Sequence, residues 1–158
     1  MPDLPTLPTL EGPTLAPVLG GRAEQLVILL HGVGADGNDL FGLAPYFQEI
    51  LPGTLFISPD APFSFDMGPF GYQWFSLRDM SPRARLDGVR ETAPILDAFI
   101  DEKLIELGLG EDKLLLIGFS QGAMMALHVG LRRERRIAGI ISYSGMLAGI
   151  ELLAAEIK

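Results

Sequence analysis

A chain of 158 residues, 48% hydrophobic and 20% charged, is long and apolar enough to bury a core without disulfide or metal support. Its net charge of -8 argues against nucleic acid and anionic lipid as main partners. The absence of cysteine removes disulfides, thiolate metal sites and a cysteine nucleophile together. No apolar run approaches the roughly 18 residues needed to cross a bilayer, so membrane insertion is not expected.

Five prolines fall within the first 17 residues, spaced among Thr and Leu. Residues 1–25 therefore read as an extended arm that can add edge strands but not helix. The opening Met1-Pro2-Asp3-Leu4 has neither a basic flank nor an apolar signal core, and the expected location is cytoplasmic. Residues 26–158 then alternate strand and helix patterns. Leu26–Leu30 is a short, wholly apolar run closed by His31-Gly32, as for a strand buried on both faces. Asn38 or Asp39 is expected to cap a short helix reaching about Phe47. A second strand is expected over Thr54–Ser58. The glycine-, proline- and aromatic-rich stretch from Asp60 to about Pro82 is too long for a simple connection and reads as a binding loop.

Asp87 is the expected cap of a long helix with apolar positions at Val89, Ala93, Leu96, Ile100, Leu104 and Leu107, a helical repeat. Pro94 inside it predicts either a kink or a later start, and Gly108 the end. A third strand over Leu114–Gly118, a helix over Gln121–Leu131 and a fourth strand over Ile137–Tyr143 complete the pattern. Such alternation predicts a mostly parallel sheet flanked by helices.

The strongest chemical signal is Gly118-Phe119-Ser120-Gln121-Gly122, where an apolar strand meets a helix. A serine at such a turn takes a strained backbone conformation that exposes its hydroxyl, and small residues two positions either side let the chain pass closely. The helix N-terminus favours developing negative charge, and the Gln121 N–H is a natural oxyanion donor. A second donor is expected from the Leu30-His31-Gly32-Val33-Gly34 segment, after a strand that should neighbour this one. The His31 side chain reads better as a bonded structural histidine than as a base.

Taken together, Leu30–Leu40, Pro59–Pro62, Gln73-Trp74-Phe75 and Gly118–Gly122 resemble the phospholipase/carboxylesterase family of α/β-hydrolases, which includes bacterial carboxylesterases and acyl-protein thioesterases. The resemblance runs from about Leu26 to Gly149. It implies Ser120 as nucleophile, the Val33 and Gln121 amides as the oxyanion hole, and Trp74 near the acyl pocket. An indole that merely anchors the long loop is the equal alternative for Trp74. No metal and no cofactor are implied.

A serine hydrolase also needs a base and an acid that orients it. The chain has two histidines. After Ser120 there is only His128, about 12 Å along the same helix at 1.5 Å per residue and better read as packing. No aspartate follows Ser120. The triad acid and histidine are therefore expected beyond the end of this chain, which reads as the N-terminal portion of an α/β-hydrolase domain lacking the C-terminal strands. The Ile137–Tyr143 strand should then form a bare sheet edge, open to a homo-oligomer partner or a missing C-terminal segment. The expected function is a serine carboxylic-ester hydrolase acting on short- to medium-chain acyl esters through an acyl-enzyme on Ser120. Thioesterase activity and a non-catalytic acyl- or ligand-binding fragment are the alternatives. The expected partner is a small-molecule ester.

Overall fold

The computed structural model describes residues 6–158. Of the expected N-terminal arm, residues 1–5, including the Met1–Leu4 segment, lie outside the described residues. Strands β1 (Thr14–Leu15), β2 (Gln25–Leu30) and β3 (Thr54–Ile57) form one side of the main sheet. Strands β6 (Leu114–Phe119) and β7 (Gly139–Tyr143) form the other, in the order β1-β3-β2-β6-β7. All neighbours are parallel except β1, which pairs antiparallel with β3. Between β3 and β6, the long loop folds a small hairpin of its own from β4 (Phe63–Ser64) and β5 (Tyr72–Gln73).

Alternation of side chains along the strands divides the core in two. Leu26, Ile28, Leu30, Leu114 and Leu116 pack under helices α3 (Pro82–Leu107) and α4 (Gln121–Gly130). Val27, Leu29, Phe56 and Ile117 face the opposite side, towards the short helices α1 (Gly37–Phe41) and α2 (Ala44–Gln48). Both faces of β2 are thus dry, and Leu26 to Leu30 are buried throughout. That is why its sequence is an unbroken apolar run and not an alternating one. A short helix α5 (Leu153–Glu156) is tied to α3 and to the turn after α4 through Glu156, which pairs with Arg90 at 2.6 Å and Arg132 at 2.8 Å.

Helix starts differ from the expectations in two places. The single helix expected up to Phe47 is two, and the cap of the first is Asp36, whose carboxylate accepts the Asn38 N–H at 2.8 Å. Asp36, Asn38 and Asp39 are all competent caps, so residue type alone does not choose among them. The long helix starts at Ser81, not Asp87: the Ser81 hydroxyl accepts the Ala84 N–H and Pro82 occupies the first turn, where its missing N–H costs nothing. The helix runs through Pro94 without a new start and ends at Gly108, which has φ +66°.

At one edge, β7 pairs with no strand but β6 among the described residues. Its Ile140 and Ile141 are half-buried, and Tyr143 is exposed. The other edge is covered by the short antiparallel β1. No helix among the described residues is long and apolar enough to cross a membrane.

Candidate active site at the carboxyl ends of β2 and β6

Ser120 sits between β6 and α4 with φ 52° and ψ -115°, a conformation that a non-glycine residue holds only under strain. The surrounding packing enforces it. A Cβ at Gly122 would overlap the Leu30 carbonyl oxygen, and one at Gly118 would collide with the backbone of Gly122 and Ala123. The two glycines let the elbow fold flat against β2 and against the first turn of α4. Although Ser120 occupies the cap position of α4, its side chain makes no capping hydrogen bond. The hydroxyl is left for chemistry on a half-buried residue. Its amide donates to the Tyr143 carbonyl at 2.8 Å, fixing the elbow to the end of β7.

Register places the second half of the site. Leu30 pairs with Gly118, so the segment after β2 runs beside Phe119 and Ser120. Gly32 lies against the Phe119 ring and carbonyl. The expected donors come from the two sides of this junction. The Gln121 N–H, first in α4, has no intrahelical acceptor. The Val33 N–H has no hydrogen-bond partner among the described residues. The flanking amide of Gly34 donates to the Tyr72 carbonyl at 2.7 Å, and Tyr72 donates back to Ala35 at 2.8 Å, so β5 holds this segment from outside.

His31 is completely buried and both ring nitrogens are taken. Nε2 accepts the Ala61 N–H at 2.9 Å, which leaves the proton on Nδ1, donated to the Gly32 carbonyl at 2.7 Å. Burial holds its pKa below the ordinary histidine value, outweighing the Gly32 carbonyl and Asp60, which act the other way. It is a neutral strut and offers no nitrogen to Ser120. His128 is also buried, on α4. Burial, and then Arg132, lower its pKa to about 4, and its Nδ1 has no partner among the described residues.

Trp74 is fully buried; its indole N–H donates to the His31 carbonyl at 2.9 Å and its ring lies tilted against the imidazole at 5.9 Å. Its backbone is held at both ends. The Trp74 N–H donates to Gln121 Oε1 at 2.7 Å and its carbonyl accepts from Thr92 Oγ1 at 2.6 Å. The indole therefore anchors the loop and turns no surface towards solvent. Aromatic surface near the elbow comes instead from Phe119 and Tyr143, both exposed, and from Phe65, which packs on Gly34. The side chain of Gln121 was not foreseen as a functional element. Its partners lie 46 and 47 positions away, and no local pattern pairs them.

The sequence pattern of the Phospholipase/Carboxylesterase family matches residues 19–155. Acyl-protein thioesterase 1 of Schizosaccharomyces pombe is 35% identical over 130 residues, which cover 77% of this chain and 55% of that protein. The protein of the same name from Kluyveromyces lactis is 30% identical, with 78% and 57% covered. This chain thus spans little more than half the length of those relatives. Among solved structures, esterase PE8 superposes with a TM-score of 0.89 at 44% identity, covering 94% of this chain and 70% of that one. A carboxylesterase from Mesorhizobium loti shares the fold at 22% identity and a TM-score of 0.69, with 93% and 66% covered. With the elbow, the parallel sheet and these matches in agreement, the fold is that of the α/β-hydrolases, and the chain belongs to the Phospholipase/Carboxylesterase family.

Proposed function

We propose that this chain carries the nucleophile and oxyanion hole of a serine carboxylic-ester hydrolase acting on short- to medium-chain acyl esters. The observation that supports it best is the strained Ser120, whose hydroxyl is excused from capping α4. A base takes the Ser120 proton as Oγ bonds to the ester carbonyl carbon. The carbonyl oxygen becomes an oxyanion held by the Val33 and Gln121 amides. Collapse breaks the bond to the leaving alcohol, which takes the proton from the base. Water, deprotonated by the same base, then releases the acid and restores Ser120. Phe65, Phe119 and Tyr143 supply apolar surface for the acyl chain, and Trp74 fixes the loop behind it. Base and orienting acid come from residues other than His31, whose two ring nitrogens are bonded, and His128, which is buried on α4. The free edge of β7 is where a further strand would join, from a second copy or from another segment. A thioester is an equally accessible electrophile for this geometry, and two relatives bear the name acyl-protein thioesterase 1.

The test is turnover of a chromogenic short-chain ester, with Ser120→Ala as control. Turnover that disappears with the substitution supports the proposal. The burial of both histidines favours a second reading, a non-catalytic acyl-binding protein. It would show ester binding unaffected by Ser120→Ala, and no turnover.

A further inference from the structure

Between the elbow and the long aromatic loop, one side chain makes the connection. Gln121 is 1% exposed, and both polar atoms of its carboxamide are bonded: Oε1 accepts the Trp74 N–H and Nε2 donates to the Phe75 carbonyl, both at 2.7 Å. From Trp74 the connection continues through the indole N–H to the His31 carbonyl, while His31 Nδ1–H holds the Gly32 carbonyl. The His31 ring in turn receives the Ala61 N–H, so the loop grips this residue twice. The chain of contacts begins at the residue offering one proposed oxyanion donor and ends on the carbonyl of the Gly32–Val33 peptide, whose N–H is the other.

We propose that the Gln121 side chain is a positioning group that ties the Phe63–Phe75 loop to both halves of the oxyanion hole. The inference rests on the oxyanion assignment made above, and it adds a role for the loop. The loop sets the spacing of the two amides from behind, whether or not it also touches substrate. An oxyanion hole acts only if its donors are preorganised where charge develops. Two amides on separate strand ends have no covalent reason to stay in register. A buried carboxamide with both ends bonded is a geometry-specific joint, since an apolar side chain of the same volume would strand one donor and one acceptor.

Trp74 is the sole tryptophan, so its emission reports on the joint directly. Gln121→Met keeps the volume and deletes both bonds. Gln121→Glu keeps the shape but satisfies both partners only when protonated, because a carboxylate cannot donate to the Phe75 carbonyl. For Gln121→Met the expected results are red-shifted Trp74 emission, acrylamide quenching raised about two-fold and hydrogen exchange of residues 31–34 accelerated about ten-fold. Gln121→Glu should emit like the parent near pH 5 and like Gln121→Met near pH 9, a transition larger than any that His31 imparts to the parent. In turnover, kcat should fall at least about ten-fold with KM within about three-fold, the mark of a group acting on the transition state.

Unchanged emission and exchange in Gln121→Met would overturn the inference, leaving the Ala35–Tyr72 backbone bonds as the real tether. So would a raised KM at intact kcat. Should Gln121→Met fail to fold, the presence or absence of the pH transition in Gln121→Glu decides alone. Emission and exchange need no turnover, so an inactive parent counts against the hydrolase reading and not against this joint.

Discussion

Two regions of the protein bury polar groups in opposite ways. At the carboxyl ends of β2 and β6, His31, Gln121 and Trp74 are almost wholly enclosed, and each is satisfied by neutral hydrogen bonds of 2.7–2.9 Å. Where α3, α4 and α5 meet, the buried groups are charged or orphaned. Among the described residues His128 Nδ1 and Arg132 Nη2 lack partners, Glu156 bridges Arg90 and Arg132, and the Arg133 side chain is 6% exposed among Asp97, Asp101 and Glu111. Neutral matched bonds fix a geometry with no charge to desolvate. Ion clusters hold helices together with a net gain that desolvation largely cancels. The first kind of region suits a site in which two amides must keep their spacing, and the second suits a seam between helices.

The largest effect that would sharpen this contrast is Gly122→Ala. Its Cβ would overlap the Leu30 carbonyl, a backbone group that cannot move without disturbing β2. A loss of more than about 4 kcal/mol in urea unfolding is expected, enough to leave little native protein. A mild effect would show the elbow to be less tightly packed than its neutral hydrogen bonds imply.

The second test concerns pH. The pKa of His128 falls from an ordinary 6.5 to about 4 on folding, so the unfolded chain binds the extra proton first as pH drops. Its contribution is fully present above about pH 6.5 and is lost as pH falls towards 4, at most about 3 kcal/mol. Arg132 and Arg90 push in the same direction as burial, and Glu156 opposes them. His128→Leu should therefore unfold with a visibly flatter pH dependence than the parent between these limits. Superposable curves would mean that His128 is hydrated in solution.

At neutral pH the two histidines should part company. His31→Leu strands the Ala61 N–H and the anchored loop, and a loss of about 2 kcal/mol is expected. His128→Leu removes an orphaned nitrogen and should stay within about 1 kcal/mol of the parent. Equal losses in chemical denaturation would erase the distinction between the regions. The smallest effect has the opposite sign. Ser120→Gly relieves the positive φ, so stability should rise by about 1 kcal/mol, and the ester turnover proposed for Ser120 should vanish.

The elements that the sequence revealed are those whose cause is local. The apolar runs at Leu26–Leu30 and Leu114–Gly118 have to be buried on both faces, and they became neighbouring strands. The first glycine of the G-x-S-x-G spacing has a local reason, a clash with the backbone of Gly122 and Ala123, whereas the second answers to the Leu30 carbonyl across the sheet. The packing reading of His31 also held, since a histidine directly after a buried strand has little access to solvent. Cap positions were less legible: Ser81-Pro82 competes with Asp87, and the choice depends on where the loop delivers the chain to the helix. The joint made by Gln121 could not be read at all. Its side chain is an ordinary helix-start residue until the fold brings Trp74 and Phe75 against it.

The pairing of β2 with β6 has a kinetic consequence. Leu30 and Gly118 touch in the sheet but are separated by roughly 90 positions in the chain, and parallel contacts of this span form slowly because a large loop must close first. The proposed nucleophile and the segment that would serve its oxyanion thus meet only once the interior of the molecule has condensed. A chain still folding carries Ser120 on a flexible turn, with no partner amides from β2 beside it. In this architecture, the proposed reactivity would arrive together with the native state and not before it.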